Sequence, residues 1–205
     1  MTDDTGYENG NDRSSAGLLG WTDDFRICLA FLSRLPVPSP EGHGSSLGAA
    51  MRALPAAGLV LGAIAGVLCV ILLIVGLPSA LVAIMTFSAM LFVTGALHED
   101  GLADVADGFG GGFTSDRKLE IMKDSAIGSY GVLALICMML LKVFALVEIL
   151  ASSVGFVAIV AMFAALGALS RTYCVSLMAS TANEARISTN AKTFNNIIQM
   201  SASTP

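Results

Sequence analysis

The sequence predicts an all-α, polytopic membrane helical bundle with about four transmembrane helices and additional interfacial helices. Three observations carry that prediction. The 205 residues are 55% hydrophobic and only 13% charged, with a mean hydropathy of +0.75, whereas soluble domains carry about 25% charged residues. Four apolar stretches approach or exceed the ~20 residues that cross a bilayer. The basic residues fall in segments that four spans would place on one side of the membrane. The net charge of -5 and pI near 4.8 argue against nucleic-acid binding, which leaves a basic patch in a sequence.

Residues 1–24 form a polar, Gly/Ser/Asn-rich tail with Asp3, Asp4, Glu8, Asp12, Asp23 and Asp24, expected to be disordered. They lack the basic start and apolar core of a cleavable signal peptide. Arg26–Pro38 is apolar but short and is ended by two prolines, which predicts an interfacial or re-entrant helix. A membrane-embedded catalytic unit is then expected over residues 25–171.

The first two spans run from Pro55 to about Val75 and from Ser79 to about Leu97, joined by Gly76-Leu77-Pro78. The next two run from about Ile127 to Leu150 and from Val154 to about Leu169, joined by Ala151-Ser152-Ser153. Such short connections predict two tight antiparallel hairpins. Gly58, Gly62 and Gly66 repeat at the spacing that lets helices approach closely. Lys142 and Glu148 fall inside the third span, and Lys142 is deep enough to be paired or to face a cavity.

Neither short connection contains Lys or Arg, whereas Arg13, Arg26, Arg34, Arg52, Arg117, Lys118, Lys123, Arg171, Arg186 and Lys192 flank the spans on the other side. The expected product is an integral protein of the cytoplasmic (inner) membrane, with its N-terminus and the 98–126 loop cytoplasmic. Cys28, Cys69, Cys137 and Cys174 stand far apart in apolar surroundings and form no zinc or disulfide pattern.

The loop between spans two and three carries the chemistry. On a helix Asp100, Asp104 and Asp107 lie at i, i+4 and i+7, so three carboxylates share a face. Like charges repel, so this clustering predicts a divalent cation. Mg²⁺ takes oxygen ligands and bridges one or two carboxylates to substrate phosphates. The run Gly108–Gly112 is expected to break the helix, letting Gly110 and Gly111 offer backbone N–H groups to phosphate. A second helix follows Ser115, with Asp116 in its first turn, and ends near Lys123-Asp124-Ser125. Lys123 can neutralise phosphate. His98 is either a general base or an interfacial polar residue. Glu99 points away from the three aspartates and is the weaker ligand candidate.

At these residues the chain resembles a known family. GALHEDGLADVADGFGGG followed by DRKLEIMKDSAIGSYG is similar to the signature of the cobalamin synthase (adenosylcobinamide-GDP ribazoletransferase) family. AFLSRLPVP and RALPAAGLVLG resemble its opening segments, and the resemblance covers about Phe25 to Arg171. It implies a Mg²⁺-dependent membrane phosphotransferase of the last steps of vitamin B12 biosynthesis. Such an enzyme joins adenosylcobinamide-GDP to α-ribazole or its 5′-phosphate and releases GMP. Under the resemblance Asp100, Asp104 and Asp107 hold Mg²⁺ and the diphosphate. Glu99, His98 and Asp107 are the catalytic candidates, and Arg34, Lys123, Asp124, Ser125, Gly110 and Gly111 contact substrate. The lipid bilayer is the other expected partner, and a homo-oligomer is left open.

Residues 172–205 depart from the pattern. They are polar and lack the family's second motif, roughly GGxxGDxxGAxxE. Two other classes compete with this reading. A CDP-alcohol phosphotransferase would show DxxDGxxAR with later aspartates, a spacing this chain lacks. A cation-binding membrane transporter would place its carboxylates near the bilayer midplane, not in an interfacial loop.

Overall fold

The computed structural model describes residues 18–38, 47–152 and 154–202, with side chains described as far as Thr181. The part of the expected polar tail before Leu18 lies outside the described residues, as do the side chains of Arg186 and Lys192. The described chain is helical throughout: α1 (Leu18–Leu32), α2 (Leu47–Ala50), α3 (Leu54–Ile74), α4 (Ser79–Thr94), α5 (Leu97–Gly111), α6 (Ser115–Lys123), α7 (Ser129–Ala151) and α8 (Phe156–Ala202), with a 3-10 turn at Met51–Ala53 before α3.

Helix α1 begins earlier than Arg26, because Leu18–Asp24, assigned above to the polar tail, forms its first turns. The reason is tertiary. Asp24 is buried and accepts from Arg52 Nε at 2.6 Å, and the Cys28 thiol donates to the Ala50 carbonyl at 3.0 Å. Burial, and then the Asp24 charge, push that thiol up to about 11. The helix ends where Pro36 and Pro38 forbid continuation.

Among the described residues, three helices are long and apolar enough to span a membrane: Met51–Ile74, Ser129–Ala151 and Phe156–Thr181. The fourth candidate is broken. Helix α4 has 16 residues, about 24 Å, and α5 leaves it at 91°. Gly95 (φ +66°) and Ala96 (φ +57°) are consecutive left-handed residues that make this corner. Only the first is glycine, so Ala96 costs about 1 kcal/mol of backbone strain. Hydrogen bonds hold it there: Ala96 N–H donates to Leu91 O at 3.0 Å, and Arg34 N–H to Val93 O at 2.7 Å. Outside the bundle Ile74, Val75, Phe92, Leu141, Phe144, Val157 and Leu169 are exposed, as expected of side chains that face lipid acyl chains.

The glycines of α3 pack closely, but against α8. A Cβ on Gly58 would strike Gly167 O, one on Gly62 would strike Phe163 O, and one on Gly66 would lie 2.7 Å from Val160 Cα. This seam explains why the second expected hairpin does not close. Helix α8 follows α3, while α7 packs against α4 and α5. Helices α7 and α8 share the cluster of Cys69, Val82, Ala83, Leu146 and Ile159. Above that cluster a gap opens between them. Helix α8 also runs on past Leu169 to Ala202, because no Gly or Pro lies between Gly167 and Pro205 to stop it. The four cysteines are free, as the sequence suggested.

Candidate functional site

The acidic segment is a helix, but it does not lie as a loop across the bundle end. It is fastened to α7 at two points. Glu99 Oε1 accepts from Lys142 Nζ at 3.0 Å. Asp107 Oδ2 accepts from Gly128 N–H at 2.7 Å and Oδ1 from Gly131 N–H at 2.8 Å. Lys142 lies 13 residues beyond Ser129, about 20 Å along α7. The start of α5 therefore meets the middle of α7, and its later turns climb back toward the α7 N-terminus.

Asp107 thus has a structural task. Its carboxylate, 8% exposed, caps the α7 N-terminus from another helix, satisfying amides that have no partner inside α7. The sequence signal was present in Gly128 and Gly131, since a Cβ at either would collide with this carboxylate. Glu99, Ala103 and Asp107 form the row against α7, and Asp100 and Asp104 occupy the adjoining flank. The expected face of three aspartates is therefore divided.

Asp100 is exposed and Asp104 half-buried, and neither side chain has a hydrogen bond or ion pair among the described residues. Two unpartnered carboxylates one turn apart suit a hard divalent cation that completes its shell with phosphate oxygens and water. No group of three His, Cys, Asp or Glu side chains among the described residues forms a closed metal site.

The remaining candidates divide between the two ends of α5, which has 15 residues and is about 22 Å long. At its start stand His98, Glu99 and Arg34, whose guanidinium lies over Gly95. At its end stand Lys123, Asp124 and Ser125, all exposed. Asp124 Oδ1 accepts from Ala126 N–H at 3.1 Å and shapes the turn into α7. Helix α6 starts at Ser115 as expected, with Thr114 Oγ1 accepting from Arg117 N–H at 3.3 Å as its cap.

The glycine run differs from expectation. Helix α5 continues through Gly111, so the amides of Gly110 and Gly111 belong to the helix and do not line a loop. A Cβ on Gly110 would collide with the Tyr130 ring, one on Gly111 would lie 3.3 Å from Ile121, and one on Gly108 would lie 2.7 Å from Met122. These glycines let α6 and α7 approach closely. Lys118 sits 4.1 Å over the Phe109 ring and steadies the same contact.

Sequence reasoning did not place a cavity of about 500 Å³ between α3, α4, α7 and α8. Phe87, Met90, Met139, Met162, Phe163 and Leu166 form apolar walls, and His98, Glu99, Lys142, Ser170 and Arg171 form a polar mouth. Lys142 is both paired and cavity-lining. Glu148 is exposed and makes no ion pair among the described residues. By sequence Arg171 counts only as a topological charge, although a cation this close to an apolar span is itself a functional signal.

A family profile described as cobalamin-5-phosphate synthase matches residues 24–203, extending beyond the Phe25–Arg171 resemblance. Curated relatives bear the name adenosylcobinamide-GDP ribazoletransferase. One from Mesorhizobium japonicum is 43% identical over 143 residues, covering 70% of this chain and 55% of that protein. One from Sinorhizobium medicae is 49% identical over 130 residues, 62% of this chain and 50% of its own length. The Bradyrhizobium diazoefficiens protein is 50% identical over 115 residues, 55% of this chain and 44% of its own. The chain thus spans about half the length of the curated relatives it matches. No solved structure matches it at a significant level.

Proposed function

The chain belongs to the cobalamin-5-phosphate synthase family, and from that premise we propose that it transfers the adenosylcobinamide phosphate from adenosylcobinamide-GDP to α-ribazole or its 5′-phosphate. The reaction forms adenosylcobalamin or its 5′-phosphate and releases GMP. One observation carries the reading: two unpartnered carboxylates, Asp100 and Asp104, lie on a helix between two groups of cations and beside a cavity with a polar mouth.

Asp100 and Asp104 hold Mg²⁺ in this reading. When bound there, the ion would supply positive charge that offsets the negative charge of the diphosphate. Lys123, beside the end of α5, contacts phosphate oxygens of the donor, and Arg34, at the other end of α5, contacts the remainder of this long substrate. A ribazole hydroxyl attacks the phosphorus attached to cobinamide, and the bond to the GMP oxygen breaks. His98, at the cavity mouth, takes the hydroxyl proton. Glu99 is held by Lys142 and positions that mouth. Asp107 contributes by fixing α5 on α7. The protein works in the cytoplasmic membrane, with its N-terminus, the end of α5 and α6 on the cytoplasmic side, consistent with its basic flanks, while the start of α5 reaches in along α7 to Lys142.

Asp104→Asn tests the assignment. We expect Mg²⁺-dependent GMP release from adenosylcobinamide-GDP and α-ribazole to fall at least ~100-fold, with unchanged membrane insertion and thermal unfolding. Full turnover by the purified variant would reject the metal role.

A further inference from the structure

The reaction has three bulky parts: a corrin, a guanosine and a ribazole. The cavity above the Cys69–Leu146–Ile159 cluster discriminates among them. At about 500 Å³ it falls within the range of small-molecule pockets and is too small for a corrin with its side chains. Its walls offer almost no hydrogen-bonding groups. Thr94, the polar residue of the α4 wall, already donates its hydroxyl to Met90 O at 2.9 Å. Guanine would bury its exocyclic amine and carbonyl there without partners, at a cost of ~1–3 kcal/mol each. A benzimidazole has no exocyclic donor and would lose little. Phe87 and Phe163, with Met90, Met139 and Met162, provide flat and adaptable apolar contact for such a ring.

The mouth is asymmetric in charge. Lys142 and Glu99 neutralise one another across 3.0 Å. Arg171 has no carboxylate partner among the described residues: Nη1 donates to the Ser170 hydroxyl at 2.7 Å, and Nε is sealed from solvent with no hydrogen-bond partner. Nε is therefore closed off from the cavity too, and Arg171 faces the mouth through its outer N–H groups, where an anionic oxygen would meet a guanidinium that no carboxylate neutralises.

We infer that this cavity is the acceptor subsite, taking the ribazole base-first between α3, α4, α7 and α8, and that Arg171 gives preference to the 5′-phosphorylated acceptor. The inference rests on the proposed ribazole transfer. It places the acceptor on the bundle side of α5 and the donor diphosphate on the Asp100–Asp104 flank.

Equilibrium binding of α-ribazole and α-ribazole 5′-phosphate to the full chain in phosphatidylcholine nanodiscs tests it, with adenosylcobinamide-GDP binding as the control. The wild type should hold the phosphate form about tenfold more tightly. Arg171→Gln should abolish that preference and leave α-ribazole binding unchanged. Ala145→Phe and Met139→Trp, two independent fillings of the cavity, should each weaken both acceptors at least about tenfold and spare the donor. A filled variant that unfolds like the wild type and binds both acceptors normally would overturn the inference, as would retained preference in Arg171→Gln. In a second set of nanodiscs that also contains phosphatidylglycerol, anionic lipid that stays bound in the cavity at saturating acceptor would also overturn it, marking a lipid site. If these outcomes accompany normal wild-type turnover, the subsite fails and the proposed reaction stands. Absence of donor binding and turnover in the wild type would remove both.

Discussion

The α3–α8 and α5–α7 seams both depend on missing side chains, yet they use the space differently. Along α3–α8, Gly58, Gly62, Gly66 and Gly167 bring backbone against backbone. Along α5–α7, Gly128 and Gly131 make room for the carboxylate of Asp107, and a Lys142–Glu99 ion pair closes the other end. The first seam is held by van der Waals packing, which tolerates no added volume. The second is held by a few polar bonds, each of which can be removed separately. The apolar seam gives the bundle its rigid wall. The polar seam sets where the acidic helix sits.

Three substitutions would sharpen or break that contrast. The largest effect is expected in the apolar seam. Gly58→Leu drives a side chain into Gly167 O and the Arg171 stem, and should cost ~3 kcal/mol, read as a lower thermal midpoint in detergent. A midpoint equal to the wild type would show that α8 does not ride on α3. In the polar seam, Asp107→Ala leaves the Gly128 and Gly131 amides without acceptors and should cost about 2 kcal/mol. Faster hydrogen exchange confined to the first turn of α7 would identify the cause. If Asp107→Ala retains stability and loses only Mg²⁺ dependence, Asp107 is a ligand and not a cap. The smallest effect is expected for Lys142→Met. Its side chain is 41% exposed, so lost pairing with Glu99 should cost about 1 kcal/mol. The Glu99→Gln/Lys142→Met double variant should recover most of that loss. Independent, additive losses would show that the two side chains do not interact.

Much of this organisation was legible in the sequence because hydropathy and helix period are local properties. The spans at α3, α7 and the first part of α8 follow from long apolar runs, and the start of α6 from Ser115 and Asp116. The glycine period of α3 announced close packing. Its partner was not legible, because helix pairing depends on which distant surface offers the matching groove, here Gly167 of α8. The 91° corner was not legible: the apolar run continues to about Leu97, and Ala96 adopts a left-handed backbone only because neighbouring groups hold it.

The candidate site divides in the same way. Asp100, Asp104 and Asp107 stood out by spacing alone, and helical geometry put them near one another. That spacing could not distinguish a carboxylate left free from one claimed by the α7 amides. The cavity and Arg171 were less visible still, since five helices from across the chain build that space.

The sequence by itself determined a membrane bundle, its acidic helix and its family, because composition, periodicity and motif are written in consecutive residues. Only the tertiary structure decided that Asp107 caps α7, that α8 pairs with α3, and that a polar-mouthed cavity opens where α7 and α8 part. Each of those outcomes is a competition for partners among segments far apart in the chain. Packing and hydrogen bonding settle that competition only after the helices have formed.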